Sequence, residues 1–181
     1  MVKIKLIVWL WNPWQKYENT IHNIWFKIVE LIANYSDGTD FLFDKKFNAE
    51  ISIAKDGKYM IIFAKPQTFM NLSWDAVSKI ANFYKIESKN ILVIHDEIDL
   101  EPWKIKLKWN WWDNGHNWLK SITQKLWTNQ YWKLKMWVWR PEHKSQVVNY
   151  VLWKLPKSVY EFFLKKEDLI YEYVRQFLVN N

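Results

Sequence analysis

A chain can turn tightly and pass close to itself only where its backbone is free to take positive φ, and glycine is the residue that supplies that freedom. An average chain of this length carries about 13 glycines; this one carries 3, against 15 tryptophans in 181 residues. The tryptophans also stand where glycine has a physical job. Trp14 follows Asn12-Pro13, a turn signal. Trp127 follows a helical run, at the position where helices commonly close on glycine. Trp74, Trp103 and Trp118 each fall at a strand or helix junction, and Trp109, Trp111 and Trp112 crowd a loop with the turn formers Asn110, Asp113, Asn114 and Gly115. Most of these tryptophans read as glycines written with the wrong letter.

Length suits one domain over 1–181, large enough to bury a core. With no cysteine there is no disulfide framework and no thiolate metal site, and the four histidines (His22, His95, His116 and His143) lack metal-site spacing. The N-terminal apolar run is short and has no small-residue cleavage site, so it reads as a buried strand. No run reaches the ~18 apolar residues of a membrane span. These features point to a cytoplasmic protein without membrane association. The net charge of +7 is concentrated. Between Trp103 and Arg140, Lys104, Lys106, Lys108, Lys120, Lys125, Lys133, Lys135 and Arg140 face only Asp113, while basic and acidic residues balance elsewhere. A basic stripe confined to one segment is a footprint for a polyanion such as nucleic acid; a solvated lysine-rich face is the alternative.

Strand and helix signals intermingle along the chain. Residues 3–10 form a short apolar run closed by Asn12-Pro13. Ile24, Ile28, Leu31, Ile32 and Tyr35 keep helical spacing, capped by Asn19 or Thr20 and ended by Ser36-Asp37-Gly38. Residues 51–54 and 59–64 flank Asp56-Gly57, a hairpin signal, and Pro66 stops the second strand. Ser73 caps a helix carrying Val77, Ile80, Ala81 and Tyr84. Residues 91–94 are fully apolar, which suits a central strand. Residues 104–108 and 133–139 alternate basic with apolar, which predicts half-exposed strands. A helix is expected over 116–126. Pro156 opens a last helix striped by Val159, Phe162, Phe163, Leu169, Ile170, Tyr173, Val174 and Phe177. The fold class is α/β: a mixed, mostly parallel, twisted sheet surrounded by helices.

Asn12, His22, Asn23, Asn71, Asp96, Asn114, His116 and Asn117 all fall at the ends of strands or the starts of helices, where an α/β sheet gathers its ligand crevice. His22 lies in the first turn of its helix, whose dipole favours the neutral imidazole that a base requires. Asp96, just past an apolar strand, could orient it. A histidine and a carboxylate without a serine or cysteine nucleophile suit activation of water. A histidine at a helix start is also commonly a cap or a core residue.

Reading tryptophan as glycine turns residues 8–14 into VGLGNPG, followed by Tyr17-Glu18-Asn19-Thr20-Ile21-His22-Asn23-Ile24. With KPQTFMNLS at 65–73, ILVIHDEIDLEP at 91–102, GHN at 115–117 and LKSI at 119–122, the chain resembles the bacterial peptidyl-tRNA hydrolases from about residue 3 to residue 155. Most of the tryptophans then fall on family glycines, Trp132 least clearly. Such a pattern arises when UGA, read as glycine in some bacterial lineages, is translated as tryptophan. The scarcity of arginine, two of 26 basic residues, suits the AT-rich genomes where such reassignments occur. The resemblance implies hydrolysis of peptidyl-tRNA by a monomer needing no metal, cofactor or obligate protein partner. His22 matches the base that activates water, and Asp96 the aspartate that orients it. Asn12, Asn71 and Asn117 match substrate-holding asparagines, and Tyr17 and Met70 match residues lining the cleft. Lys108, Lys133 and Lys135 sit in the segments that would track the tRNA backbone. Relatives with this fold that bind RNA without catalysis are the competing reading, against which stand His22, Asp96 and the three asparagines.

Overall fold

In the computed structural model the N-terminal apolar run forms β1 (Lys3–Trp9), buried over its last five residues. The structure describes residues 2–9, 20, 24–68, 73–110, 123, 126, 128–138, 154 and 156–180, without the side chains of 24–26 and 73. Helix α1 (Ile24–Tyr35) follows, burying Ile28, Val29, Ile32 and Ala33. Its end matches the Ser-Asp-Gly signal: Asp37 takes φ 51 and the Gly38 N–H returns to the Ala33 carbonyl at 2.8 Å. Gly38 has no room for a side chain, since a Cβ there would lie 2.8 Å from both the Ala33 carbonyl oxygen and Ser52 Oγ.

Strand β2 (Leu42–Asp44) is three residues long and has no counterpart in the sequence reading. It pairs antiparallel with β3 (Ala49–Asp56), which pairs antiparallel with β4 (Tyr59–Pro66). The last two strands form the expected hairpin. Asp56 opposes Tyr59, and Gly57 takes φ 55 at the first loop position, where a Cβ would be strained. Helix α2 (Ser73–Phe83) and a 3₁₀ turn (Ser88–Asn90) lead to β5 (Ile91–Glu97), buried at all seven positions.

Strands β6 (Ile105–Trp109) and β7 (Trp132–Trp137) complete the sheet, whose order is β2-β3-β4-β1-β5-β7-β6. The middle block β4-β1-β5-β7 is parallel; β2, β3 and β6 join antiparallel at the edges. Two cores follow, one per face. On one, Ile7, Phe63, Ile94 and Leu134 pack with α1 and the C-terminal helices. On the other, Val8, Ile62, Val93 and Tyr131 pack with Val77 and Ile80 of α2.

Two readings need correction. The segment 133–139 was expected to be half-exposed because it alternates basic and apolar. Instead β7 lies between β5 and β6, and Lys133 to Trp137 are all buried. The last helix is two, α3 (Lys157–Leu164) and α4 (Glu167–Val179), because the chain turns at Lys165 and Lys166. The apolar stripe still works across the break: Phe163, Ile170, Val174 and Phe177 share one core. The helix expected over 116–126 falls mostly outside the described residues, although Thr123 and Leu126 are helical. Among the described tryptophans, Trp103 has the left-handed backbone that favours glycine, φ 62. Trp9 and Trp137 are buried on strands, and Trp137 stacks on Trp103 with centroids 4.6 Å apart.

Candidate active site

The chain passes from β1 through α1 to the β2–β4 strands on one side, and from β4 through α2 to β5 on the other side of β1. Helices α1 and α2 pack on opposite faces. The sheet therefore reverses its winding at β1, the place where open α/β sheets commonly bind their ligands, beyond the C-terminal ends of the strands. Asp96 is the penultimate residue of β5 at that edge, 3% exposed. The β1–β5 ladder ends at Trp9 and Ile94, so Asp96 lies just beyond the level at which β1 stops.

The segments that carry the other candidates leave from the same edge. Asn12 and Tyr17 follow the C-terminal end of β1, Met70 and Asn71 follow that of β4, and His22 comes two residues before the start of α1. Thr20, buried, forms an isolated antiparallel bridge with Lys154 two residues before His22. Asn12, Tyr17, His22, Met70, Asn71 and Asn117 themselves lie outside the described residues.

The neighbours of Asp96 are chemically unusual for a central strand. His95 is fully buried, and its Nδ1–H donates to the Asp96 carbonyl at 2.8 Å. Glu97, 5% exposed, accepts Lys135 Nζ at 2.9 Å on Oε2 and the Asp99 N–H at 3.2 Å on Oε1. The Glu97 carbonyl takes the Val138 N–H at 3.3 Å. Glu97 carries no signal in the sequence beyond its place in the string His95-Asp96-Glu97, and the reading above missed it.

The three lysines assigned to the tRNA backbone separate. Lys133 is fully buried, with Nζ 4.0 Å from the centroid of the Tyr131 ring. Lys135 is buried in its ion pair with Glu97. Both side chains are buried, on a strand that β5 and β6 flank, so neither is presented at the surface in this arrangement. Lys108 stays half-buried on the edge strand β6. The register sets Ile105 beside Met136 and thus level with Asp96, so Lys106 and the exposed Lys104 lie nearer the C-terminal ends of the parallel strands than Lys108 does. No group of three or more potential metal ligands occurs among the described residues, and no described helix is long and apolar enough to cross a membrane.

An open, doubly wound sheet with a buried carboxylate at its switch point defines a class of α/β protein in which ligands are commonly held across the strand ends. The family model for peptidyl-tRNA hydrolase matches residues 6–180. The peptidyl-tRNA hydrolase of Rickettsia canadensis (strain McKiel) is 42% identical over 164 residues, 91% of this chain and 88% of that protein. That of Francisella tularensis subsp. novicida (strain U112) is 41% identical over 152 residues, 84% of this chain and 79% of that one. The crystal structure of peptidyl-tRNA hydrolase from Acinetobacter baumannii superposes with a TM-score of 0.86 at 31% identity, covering 95% of this chain and 87% of that one. The chain belongs to the peptidyl-tRNA hydrolase family, a family of hydrolases.

Proposed function

We propose that this chain hydrolyses the ester between the peptide and the 3′ ribose of peptidyl-tRNA, returning free tRNA to translation. His22 takes a proton from water, and the hydroxide so formed adds to the ester carbonyl carbon. Amide donors among Asn12, Asn71 and Asn117 stabilise the oxyanion, a task that suits carboxamides because they donate and accept without titrating. The intermediate collapses with cleavage of the carbon–oxygen bond to the ribose, whose 3′ oxygen takes the proton from His22. Asp96 orients the water and the imidazole, while Tyr17 and Met70 line the cleft. The carrying observation is the buried carboxylate of Asp96 at the switch point, with the segments bearing Asn12 and Asn71 leaving from the adjacent strand ends. The basic edge strand supports tRNA as the substrate. We read the protein as a cytoplasmic monomer, in keeping with its lack of cysteine.

The test is turnover of peptidyl-tRNA by His22→Ala and Asp96→Asn. Each should lose at least the ~10²-fold typical of removing a general base or its support, with the fold intact. Near-normal hydrolysis by His22→Ala would leave an RNA-binding member of the fold as the better reading.

We also infer that glycine stands in the cell at most of the tryptophan positions. Trp103, a bulky residue held at φ 62, supports this, because that backbone costs an L-residue roughly 1–2 kcal/mol and glycine nothing. The peptide masses of the protein isolated from its own source decide the matter, a tryptophan mass at 103 counting against it.

A further inference from the structure

We propose that His95 and Glu97 are positioning residues for Asp96, and that the buried Glu97–Lys135 ion pair serves this purpose. The inference rests on the reading of Asp96 as the orienting carboxylate. Along β5 the side chains alternate, so those of His95 and Glu97 leave the face opposite to that of Asp96. Neither can touch substrate held against the Asp96 carboxylate. His95 holds its backbone instead, and Glu97 holds the turn that follows it.

The β1 ladder ends at Ile94, and two residues further on His95 Nδ1–H takes the Asp96 carbonyl at 2.8 Å. The Glu97 carboxylate fixes the turn just beyond it. One oxygen is held by Lys135 of β7 at 2.9 Å, and the other accepts the Asp99 N–H at 3.2 Å, closing the turn that leaves the strand. The Asp96–Glu97 peptide unit and the turn that follows it are thereby tied down beyond the level at which β1 stops, where β7 alone still pairs with the strand.

Stability alone does not account for such a pair. Both side chains are 6% exposed, and burying two charges costs enough that apolar residues of the same size are often as stable or more so. What the pair supplies and an apolar pair cannot is direction: two bonds from one carboxylate, to two different segments, beside the group that must be placed. A displacement of about 1 Å in a catalytic constellation can cost 10²-fold in rate.

The experiment is a mutant cycle on the full chain, with kcat and KM measured on peptidyl-tRNA and on a short peptidyl nucleoside, and the thermal midpoint recorded for each variant. Glu97→Gln, Lys135→Met and His95→Ala should each lower kcat about tenfold on both substrates, with KM held within about twofold, a part of the full misplacement cost. His95→Asn, whose amide can still donate to the Asp96 carbonyl, should recover most of the loss. In an Asp96→Asn background Glu97→Gln should lower kcat no further. The proposal is overturned if Glu97→Gln cuts kcat by the same factor in both backgrounds. It is equally overturned if the double variant Glu97→Met, Lys135→Met keeps full kcat. A rise in KM for peptidyl-tRNA alone in Lys135→Met would return that lysine to backbone contact and likewise defeat the proposal. Should Asp96→Asn itself keep full kcat, it is the assignment of Asp96 that falls, a result distinct from the others.

Discussion

At the scale of single residues, charged groups deep in the molecule separate what composition shows from what position imposes. Lys5 is fully buried on β1, with its Nζ 4.9 Å from the centroid of the Phe177 ring, 5.7 Å from that of Tyr59, and 3.4 Å from the Phe177 carbonyl. Burial, followed by the charges of Lys3 and Lys89, lowers its pKa from 10.5 to about 8. The consequence for stability has a definite sign. Below pH 8 the folded and unfolded chains both hold the proton, and the whole cost of burying the charge is present. Between about 8 and 10.5 the folded chain has released it while the unfolded chain retains it, so this group makes stability rise with pH. Lys5→Met should therefore be the more stable protein at pH 7, and its advantage should shrink as the pH is raised from 8 to 10.5. Urea midpoints of both proteins across that range check this; an advantage independent of pH would show that Lys5 stays charged in the fold. Nothing in the sequence marked Lys5, because a lysine in an apolar run reads as a strand end in contact with solvent. Trp103 is the reverse case. The sequence singled out its position, at an element junction, and the backbone there takes φ 62.

Among the elements, those legible in the sequence were the ones whose own residues decide their form. The apolar runs became β1 and β5, the Asp56-Gly57 turn produced its hairpin, and α1 ended at Ser36-Asp37-Gly38. What was not legible depends on neighbours. Strand β2 exists because β3 offers it an edge, its Leu42 and Phe43 being exposed. The lysines of β7 are buried because β6 and β5 flank that strand, which no local alternation can reveal. In the site, the residue types alone led to a histidine base and an orienting carboxylate for activating water, and the resemblance supplied the roles of the asparagines, Tyr17 and Met70; Glu97 was invisible because its partner Lys135 is 38 residues away. Helix α1 is fixed to the sheet by a similar long-range device. Lys65 of β4, 1% exposed, is held by Glu30 of α1 at 2.9 Å and Glu50 of β3 at 3.1 Å, over the Phe41 ring at 3.8 Å. The two carboxylates are 38% and 31% exposed, so they can be hydrated without the lysine, whereas the lysine depends on them. Glu30→Gln combined with Glu50→Gln should cost about 3 kcal/mol, at the lower end for removing the partners of a buried charge. Lys65→Met should cost less, since its stem packing is kept. Urea unfolding of the two variants measures the difference, and a larger loss in Lys65→Met would mean that the carboxylates, not the lysine, are the dependent partners.

For the molecule as a whole, the charge map bears on how a tRNA could be held. Eight basic residues and one acidic residue lie between Trp103 and Arg140, and the rest of the chain is balanced. The fold divides that excess. Lys133 and Lys135 turn inward, one against Tyr131 and the other against Glu97, while Lys104, Lys106 and Lys108 remain on or beside the edge strand β6. On the function proposed above, an edge strand level with Asp96 is a place where a phosphate backbone can lie while its 3′ end approaches the strand ends. Lysine serves there as a point charge without the bidentate grip of arginine, so the contact should carry affinity and no sequence preference. Lys106→Ala and Lys108→Ala should each raise KM for peptidyl-tRNA and leave kcat unchanged. Each should also reduce the slope of log affinity against log salt concentration by about 1, the loss expected for one phosphate contact. A short peptidyl nucleoside has no backbone to lose and should be cleaved equally well by parent and variants. Steady-state kinetics on both substrates, from 50 to about 200 mM salt, where such contacts change affinity strongly, provide the measurement. If the two substrates respond alike, the lysines support the sheet, and the tRNA must be held by another face of the molecule.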